Sequence, residues 1–527
     1  MILRMTTKTL GGWLGCLVLM TSISAYGSSL SKTKSLVSQT LRAWDVDEAT
    51  GILSTLTDKE RQKADVLYLR GWAAFLQSRY AESIELLESA TQTNLAKRPW
   101  KDLLELARNT HEITKNHTEI PSSKGHFLFS LHPGVDEVLI TYADEALEAA
   151  YESLGDLLSH RPTTPVRVEI LGDVQNLAAL SPLKLSEVRT TGTIALCQYN
   201  RLVLVSPRSL IYGYRWLDAL VHEYVHFIIA HRTHKQAPIW LDEGLAKFFE
   251  NRWRQHSNGH LSRTDEDRLA RALRQKKLIP FRVMSPSIAK LSSQEDAALA
   301  YAQVFTAIEL LFEKVGMKGI NRMLDAMRDG ATGRKAIAEV TRKSFPRFER
   351  DWRRMLASRH LRALPFGAHE RLLYRDTDKP SDELKGIEEK KGRQLAYLGD
   401  RLSVRSRYKA AAIEYEKALK EVGGAEPAIS AKLAYVLLKQ GHHRRAIQIV
   451  TPALRLHHNH VLLYLYRGKA RLAIGEYESA REDLQEAIRI NPFDPEVHGL
   501  LANALEKLGR IESSKMEQRQ QRLVMAN

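Results

Sequence analysis

The pattern of apolar and polar residues changes along the chain and predicts regions of different architecture. From residue 392 to the end, apolar residues recur at helical spacing, and glycines and small alanines repeat at a constant step of 34 residues. These positions are Gly441, Gly475 and Gly509, with Ala412, Ala446 and Ala480. The regularity predicts helix pairs that must stack, because one pair alone cannot bury its apolar face.

A related helical region is predicted near the N-terminus, at residues 28–120. The segment that begins at Tyr68, YLRGWAAFLQSRYAESIELLESA, has the same order of apolar and small positions, without a second in-phase copy. Both regions resemble tetratricopeptide repeats, and residues 392–527 do so most closely. The resemblance implies a concave, helix-lined surface that binds a protein partner.

Between these regions, residues 125–360 combine short strand-like runs with helices. Strands are predicted at 127–131, 166–170 and 201–205, and a long helix at about 135–159. A turn-forming stretch at 121–125 and a charged linker at 361–391 mark the limits of this region. We therefore expect a mostly helical protein with an α+β domain in the middle of the chain.

Composition and charge exclude some classes of function. The chain has 527 residues, 44% of them hydrophobic and 27% charged, which suits a folded protein. Its formal charge is +16, but the basic residues alternate with acidic ones on predicted helices, and no nucleic-acid-binding motif is present. We expect no nucleic-acid partner.

Residues 1–27 are predicted to be a signal peptide. Arg4 and Lys8 precede an apolar run, and the small residues Ala25 and Gly27 follow it. The protein is therefore expected in the periplasm or outside the cell, with no stable membrane span once the signal is removed; an uncleaved N-terminal anchor is the alternative. Cys197 would then be the only cysteine, predicted as a buried thiol without a disulfide partner.

A predicted apolar helix carries the sequence H-E-x-x-H. His222 and His226 are four residues apart and so share one helix face, where two imidazoles can bind one zinc ion. Glu223 lies beside them and can accept a proton from a water molecule that zinc activates. Glu243, near the start of the next predicted helix, offers the third ligand of a catalytic site with an open position.

With these residues, the middle region resembles the gluzincin metallopeptidases, most closely the bacterial peptidase MA-like domain. The matching segments are HEYVH at 222–226, PIWLDEGLA at 238–246, YAQ at 301–303 and FERDW at 348–352. The resemblance implies a zincin-like α+β fold and one catalytic zinc ion, held by His222, His226 and Glu243, with Glu223 as general base. It also implies that Tyr301 stabilises the oxyanion; packing at a helix start is the alternative.

Other residues of this region have two interpretations each. Glu250 either orients a ligating histidine or faces solvent. Residues 190–207 predict a hairpin whose edge either receives an extended peptide, which favours endopeptidase action, or only packs. His231 and His234 are predicted at the surface, and an aminopeptidase is not supported because no G-x-M-E-N sequence is present.

The sequence therefore predicts an exported zinc-dependent metallopeptidase, with an endopeptidase favoured. Its substrate would be a protein or peptide, and its tetratricopeptide repeats would bind a protein partner or deliver substrate. One alternative is a tetratricopeptide adaptor of the cell envelope whose zincin-like domain is structural or inactive. Another is an enzyme that hydrolyses amide bonds of cell-wall peptides.

Overall fold

A computed structural model describes residues 30–93, 96–254, 261–284, 287–364, 372–375, 384 and 387–526. The predicted signal peptide lies outside the described residues, as does much of the predicted charged linker. The chain divides into two compact units, Met1–Ala107 and Arg108–Asn527. The sequence-based domain boundaries at residues 120, 125, 360 and 391 stay predictions.

The N-terminal region is helical. Its helices are α1 (Leu30–Ala43), α2 (Val46–Ser54), α3 (Asp58–Arg61), α4 (Ala64–Leu76), α5 (Tyr80–Thr91) and α6 (Arg98–Thr114). The pair α4–α5 is the helical hairpin predicted from Tyr68. Gly71 allows the two helices to approach closely, since a Cβ atom there would lie 2.8 Å from the Leu87 side chain.

A mixed five-stranded sheet begins the second unit. Its strands are β1 (Thr118–Pro121), β2 (Phe127–Leu131), β3 (Val166–Leu171), β4 (Ala195–Gln198) and β5 (Arg201–Val205). They are ordered β1-β2-β3-β5-β4, with β2, β3 and β5 parallel and the two outer strands antiparallel to their neighbours. The predicted hairpin at 190–207 is therefore the β4–β5 pair, and β4 is an edge strand.

Helices surround this sheet and extend it into an α+β domain. They are α7 (Val138–Leu158), α8 (Val174–Ala179), α9 (Leu185–Thr191), α10 (Trp216–Thr233), α11 (Ile239–Phe249), α12 (Arg263–Arg274), α13 (Gln294–Arg328), α14 (Gly333–Thr341) and α15 (Phe345–Ser358). The helix predicted to begin near residue 135 starts instead with a 3₁₀ turn, Val135–Glu137, in which Gly134 N donates to Glu137 Oε1.

Eight helices form the C-terminal repeats in the described residues. They are α16 (Lys390–Val404), α17 (Tyr408–Glu421), α18 (Pro427–Lys439), α19 (His443–Leu456), α20 (Val461–Ala473), α21 (Tyr477–Ile490), α22 (Pro495–Lys507) and α23 (Ile511–Ala526). Small residues again permit close pairing, as where Gly468 faces Leu484. The apolar core continues from the sheet into these helices within the second unit.

The predicted fold class is confirmed: the chain is mostly helical, with a small mixed sheet between helical repeats. Among the described residues, none of the helices has the combination of length and apolar character that a bilayer span requires.

Candidate metal centre

Helix α10 is buried along almost its whole length, between the β4–β5 side of the sheet and helices α7, α11 and α13. Its apolar side chains point in every direction around the helix axis, as expected for a helix inside a domain. His222 and Glu223 are each only 8% exposed. Ionisable groups at such positions are costly unless other groups compensate them.

The sequence-predicted metal ligands come together at this helix. His222 Nε2 and His226 Nε2 are 3.1 Å apart, and Glu243 Oε2 on α11 lies 3.4 Å from each of them. Pro238, with an extended backbone, directly precedes α11, and Glu243 lies in the second turn of this helix. Among the described residues, these three form the one group with metal-ligand spacing.

These separations fit a zinc ion. Ligand atoms about 2.0 to 2.1 Å from one tetrahedral zinc lie about 3.3 Å from each other. Two imidazole nitrogens and a carboxylate oxygen are donors that zinc prefers, and three protein ligands leave a position for solvent or substrate. The donor set and its spacing therefore match the requirements of a catalytic rather than a structural site.

A carboxylate lies close to the Nδ1 atom of each imidazole ring. Glu250 Oε2 lies 3.0 Å from His222 Nδ1, and Lys247 Nζ donates to Glu250 Oε1 at 2.6 Å. Glu250 is 5% exposed, so the solvent-facing interpretation of this residue is wrong. Asp242 Oδ1 lies 2.9 Å from His226 Nδ1. Asp242 and Lys247 are not among the residues predicted from the sequence, although Asp242 directly precedes the predicted ligand Glu243.

The same contacts shift the pKa values of the ligands. Burial acts to lower the pKa of His222, but hydrogen bonds with Glu243 and Glu250 outweigh it and raise that pKa to about 9. Burial acts to raise the pKa of Glu243, yet its hydrogen bonds with His222 and His226 lower it. The carboxylate of Glu243 is thus ionised and offers a negatively charged donor where a cation would bind.

Glu223 differs from the other carboxylates of the cluster. Burial raises its pKa, and the nearby His226 and His222 only partly oppose this effect. A carboxylate that binds a proton more readily than usual suits a general base.

Tyr301 lies beside the cluster. Its ring centroid is 6.0 Å from that of His222, and the carboxylate of Glu243 lies near its hydroxyl. Burial raises the pKa of Tyr301 well above its usual value, so the hydroxyl keeps its proton. The residue does not open a helix, as the sequence suggested, because α13 already begins at Gln294.

Cys197 lies on the edge strand β4, which packs against α10. The thiol is partly buried. Burial is the main cause that raises its pKa, and the negative charges of Glu223 and Asp242 raise it further. His234 is exposed as predicted, whereas His231 is half-buried and contacts Asn200 Oδ1 at 3.0 Å. The surface prediction for His231 is therefore only partly right.

Comparisons with known proteins match parts of the chain to two families. Residues 138–358 match the Peptidase MA superfamily, and residues 41–97, 431–495 and 465–514 match the tetratricopeptide repeat. No curated protein matches the chain.

Solved structures similar to the chain include tetratricopeptide-repeat domains and MamA proteins. The first such domain of human RPAP3 is 21% identical, with a TM-score of 0.22, and the match covers 24% of this chain and 97% of that one. MamA from Desulfovibrio magneticus is 18% identical, with a TM-score of 0.24, over 26% of this chain and 76% of that one. The Arabidopsis OM64 domain is 21% identical, with a TM-score of 0.22, over 22% of this chain and 97% of that one.

Proposed function

Since residues 138–358 form a Peptidase MA superfamily domain, with tetratricopeptide repeats on both sides of it in the chain, we propose that this protein is an exported zinc metallopeptidase. The observation that carries the proposal is the convergence of His222 Nε2, His226 Nε2 and Glu243 Oε2 on one point, beside the buried Glu223. Export rests on the signal-like residues 1–27.

The three convergent residues would hold one zinc ion. When bound, zinc supplies Lewis-acid polarisation of the scissile carbonyl and makes water a stronger acid. Glu223 accepts the proton from the attacking water and later delivers it to the leaving amine. Glu250 and Asp242 keep the two imidazole rings oriented from behind.

Tyr301 is placed to assist the same reaction. Its hydroxyl keeps its proton and lies near Glu243, so it can donate a hydrogen bond to a carbonyl oxygen on which negative charge develops. The apolar side chains of α10 limit the access of bulk water, which strengthens such interactions.

The edge strand β4 supports action within a polypeptide rather than at its terminus. In an antiparallel pair, alternate residues direct their backbone groups to the partner strand. Val205 N donates to Ile194 O, which leaves the backbone groups of Ala195 and Cys197 directed away from β5. No described strand pairs with that outer side, so an extended peptide can add to it beside the metal cluster.

The repeats would bind a protein partner or guide substrate to the site. Tyr408, Tyr435 and Tyr466 form a series of ring contacts across consecutive repeats, with centroid separations of 6.5 and 5.9 Å. If the metal cluster has no activity, this half-buried aromatic series favours the second candidate, a cell-envelope adaptor.

The test is cleavage of unfolded proteins and of cell-wall peptides by the purified chain, together with elemental analysis. We expect one zinc per chain and cleavage that stops with a chelator and in Glu223→Gln. Glu313→Gln, at an exposed position on α13, is the matched control and should retain activity. Absence of stoichiometric metal would overturn the proposal; bound zinc with activity that survives in Glu223→Gln would overturn the assigned mechanism.

A further inference from the structure

The segment before α10, the helix that carries His222 and His226, contacts the C-terminal repeats. Tyr214 N donates to Ile490 O at 3.0 Å, and the Trp216 indole Nε1 donates to Ile488 O at 3.1 Å. Both carbonyls belong to the last turn of α21, where helical carbonyls have no partner within their own helix. The start of α10 therefore caps the end of a repeat helix.

Arg215 lies between these two residues, and its guanidinium contacts residues of the C-terminal repeats. Its guanidinium donates to Asn459 Oδ1 at 2.9 Å and to His458 O at 3.1 Å, and it pairs with Glu486 Oε2 at 2.9 Å. A cation at the C-terminal end of α21 also interacts favourably with the helix dipole. Burial acts to lower the pKa of Arg215, but Glu486 and Asp218 outweigh it, so the group stays charged.

Gly213 makes this contact sterically possible. Its φ is +75°, and a Cβ atom there would lie 2.2 Å from Ile490 O. Any other residue would have to separate the two backbones, since such a distance is far below van der Waals contact.

The ionic contacts continue from Arg215 toward the metal cluster. Arg215 lies 3.7 Å from Asp218 on the first turn of α10, and Asp218 also pairs with Arg254. Lys247 interacts electrostatically with Asp218 and pairs with Glu250, which contacts His222. Charged groups thus link the repeat helix α21 with the carboxylate behind a predicted metal ligand.

A second buried contact joins the same parts of the unit. Tyr142 on α7 donates to Glu517 Oε2 at 2.9 Å, and His498 Nδ1 lies 2.7 Å from the same oxygen. All three side chains are buried, which is typical of a permanent interface rather than of a binding surface that a partner visits.

From these contacts we infer that the C-terminal repeats are part of the catalytic unit and that Arg215 is a positioning residue, which fixes the start of α10 and through it the metal ligands. The last turn of α21 and the loop at 457–460 are thus occupied by the peptidase domain, and a partner protein would bind elsewhere on the repeats. The part of this inference that concerns zinc rests on the proposed function; the part that concerns the order of α10 does not.

The test compares Gly213→Ala with Gly125→Ala in the full-length chain. Both glycines have nearly the same φ, +75° and +78°, but a Cβ atom at Gly125 meets nothing within 4 Å. Backbone strain is therefore equal, and the difference isolates the contact with the repeats. The readouts are hydrogen exchange of residues 216–226 and zinc affinity by chelator competition.

We expect Gly213→Ala to increase the exchange of the first turns of α10 about 10-fold or more over Gly125→Ala, and to weaken zinc binding about 10-fold. Equal exchange in the two variants would overturn the inference. If Gly213→Ala does not fold, the comparison is between Glu486→Gln and Glu482→Gln, the latter at an exposed position on the same helix. We then expect hydrogen exchange of the first turns of α10 to be about 3-fold faster in Glu486→Gln.

The two readouts separate the inference from the proposed function. Faster exchange of α10 in a chain that binds no zinc would leave the structural coupling standing and would overturn the metallopeptidase. Unchanged exchange of α10 in a chain that binds zinc and is active would overturn the structural coupling and leave the metallopeptidase standing.

Discussion

At the scale of single residues, the orientation of His222 depends on Glu250. With the carboxylate 3.0 Å from Nδ1, that nitrogen donates to Glu250, which leaves Nε2, directed at His226 and Glu243, as the nitrogen that would bind a metal ion after losing its proton. The carboxylate also makes the ring a stronger base, which strengthens metal binding. Lys247, 2.6 Å away, keeps Glu250 in place.

We expect Glu250→Gln to weaken zinc binding by about 10- to 100-fold, because an amide supports the His222 ring without the negative charge. The measurement is competition with a chelator of known affinity at constant pH. Glu313→Gln, an exposed variant of the same chemistry, should bind zinc as the unchanged chain does. Equal affinities of the two variants would mean that Glu250 does not act on the metal site.

Tyr301→Phe separates the two interpretations of that tyrosine. If the hydroxyl stabilises the oxyanion, kcat should fall by about 100-fold or more, while KM and zinc affinity change little. If the ring only packs beside His222, kcat should be unchanged, because phenylalanine preserves the ring. Steady-state kinetics decides, with Tyr397→Phe, at an exposed position on α16, as a control that should keep full activity.

At the scale of elements, local spacing determined part of the site and tertiary packing the rest. The four-residue step from His222 to His226 placed both imidazoles on one face of α10, which any regular helix would do. Tyr301 was named only through the family resemblance, because the packing of α13 against α10 that brings it near His222 does not follow from any local spacing. Asp242 was missed for the same reason, because its partner His226 belongs to another helix.

Trp352 tests the packing that holds α15 against α13. Its side chain is 1% exposed, and its Nε1 donates to Thr306 Oγ1 at 3.0 Å. Trp352→Ala should lower the free energy of unfolding by about 3 to 5 kcal/mol, since it leaves a cavity and removes the hydrogen bond that Thr306 Oγ1 accepts. Urea denaturation followed by circular dichroism is the measurement. Arg353→Ala, at an exposed position on the same helix, should change the free energy of unfolding by less than about 0.5 kcal/mol.

At the scale of the whole molecule, the order of the domains was predictable and their contact was not. The 34-residue step from Gly441 to Gly509 and the H-E-x-x-H sequence each arise within a short segment, so the sequence reveals them directly. The contact of Arg215 with Asn459 and Glu486 joins residues far apart in the chain, each of which looks like an ordinary polar surface residue in sequence.

This contact includes a buried histidine that makes stability depend on pH. His460 is 8% exposed, and its ring lies 4.5 Å from that of Tyr212. Burial, followed by the nearby His457, lowers the pKa of His460 to about 3. Between about pH 6.5 and pH 3 the unfolded chain therefore binds a proton that the folded chain does not, so stability falls as the pH decreases through this range.

We expect His460 alone to reduce the free energy of unfolding by about 2 kcal/mol between pH 7 and pH 5, from the difference between its folded pKa and the ordinary value. Urea denaturation at the two pH values measures this loss, and His460→Asn, which binds no proton, should show about 2 kcal/mol less of it. His442→Asn, at an exposed histidine of the same repeats, should keep the full pH dependence. Because the ring contacts Tyr212 two residues before Tyr214, acid should loosen the repeats first where they hold the start of α10. An identical loss in all three proteins would mean that His460 is protonated in the folded chain and that the contact tolerates the charge.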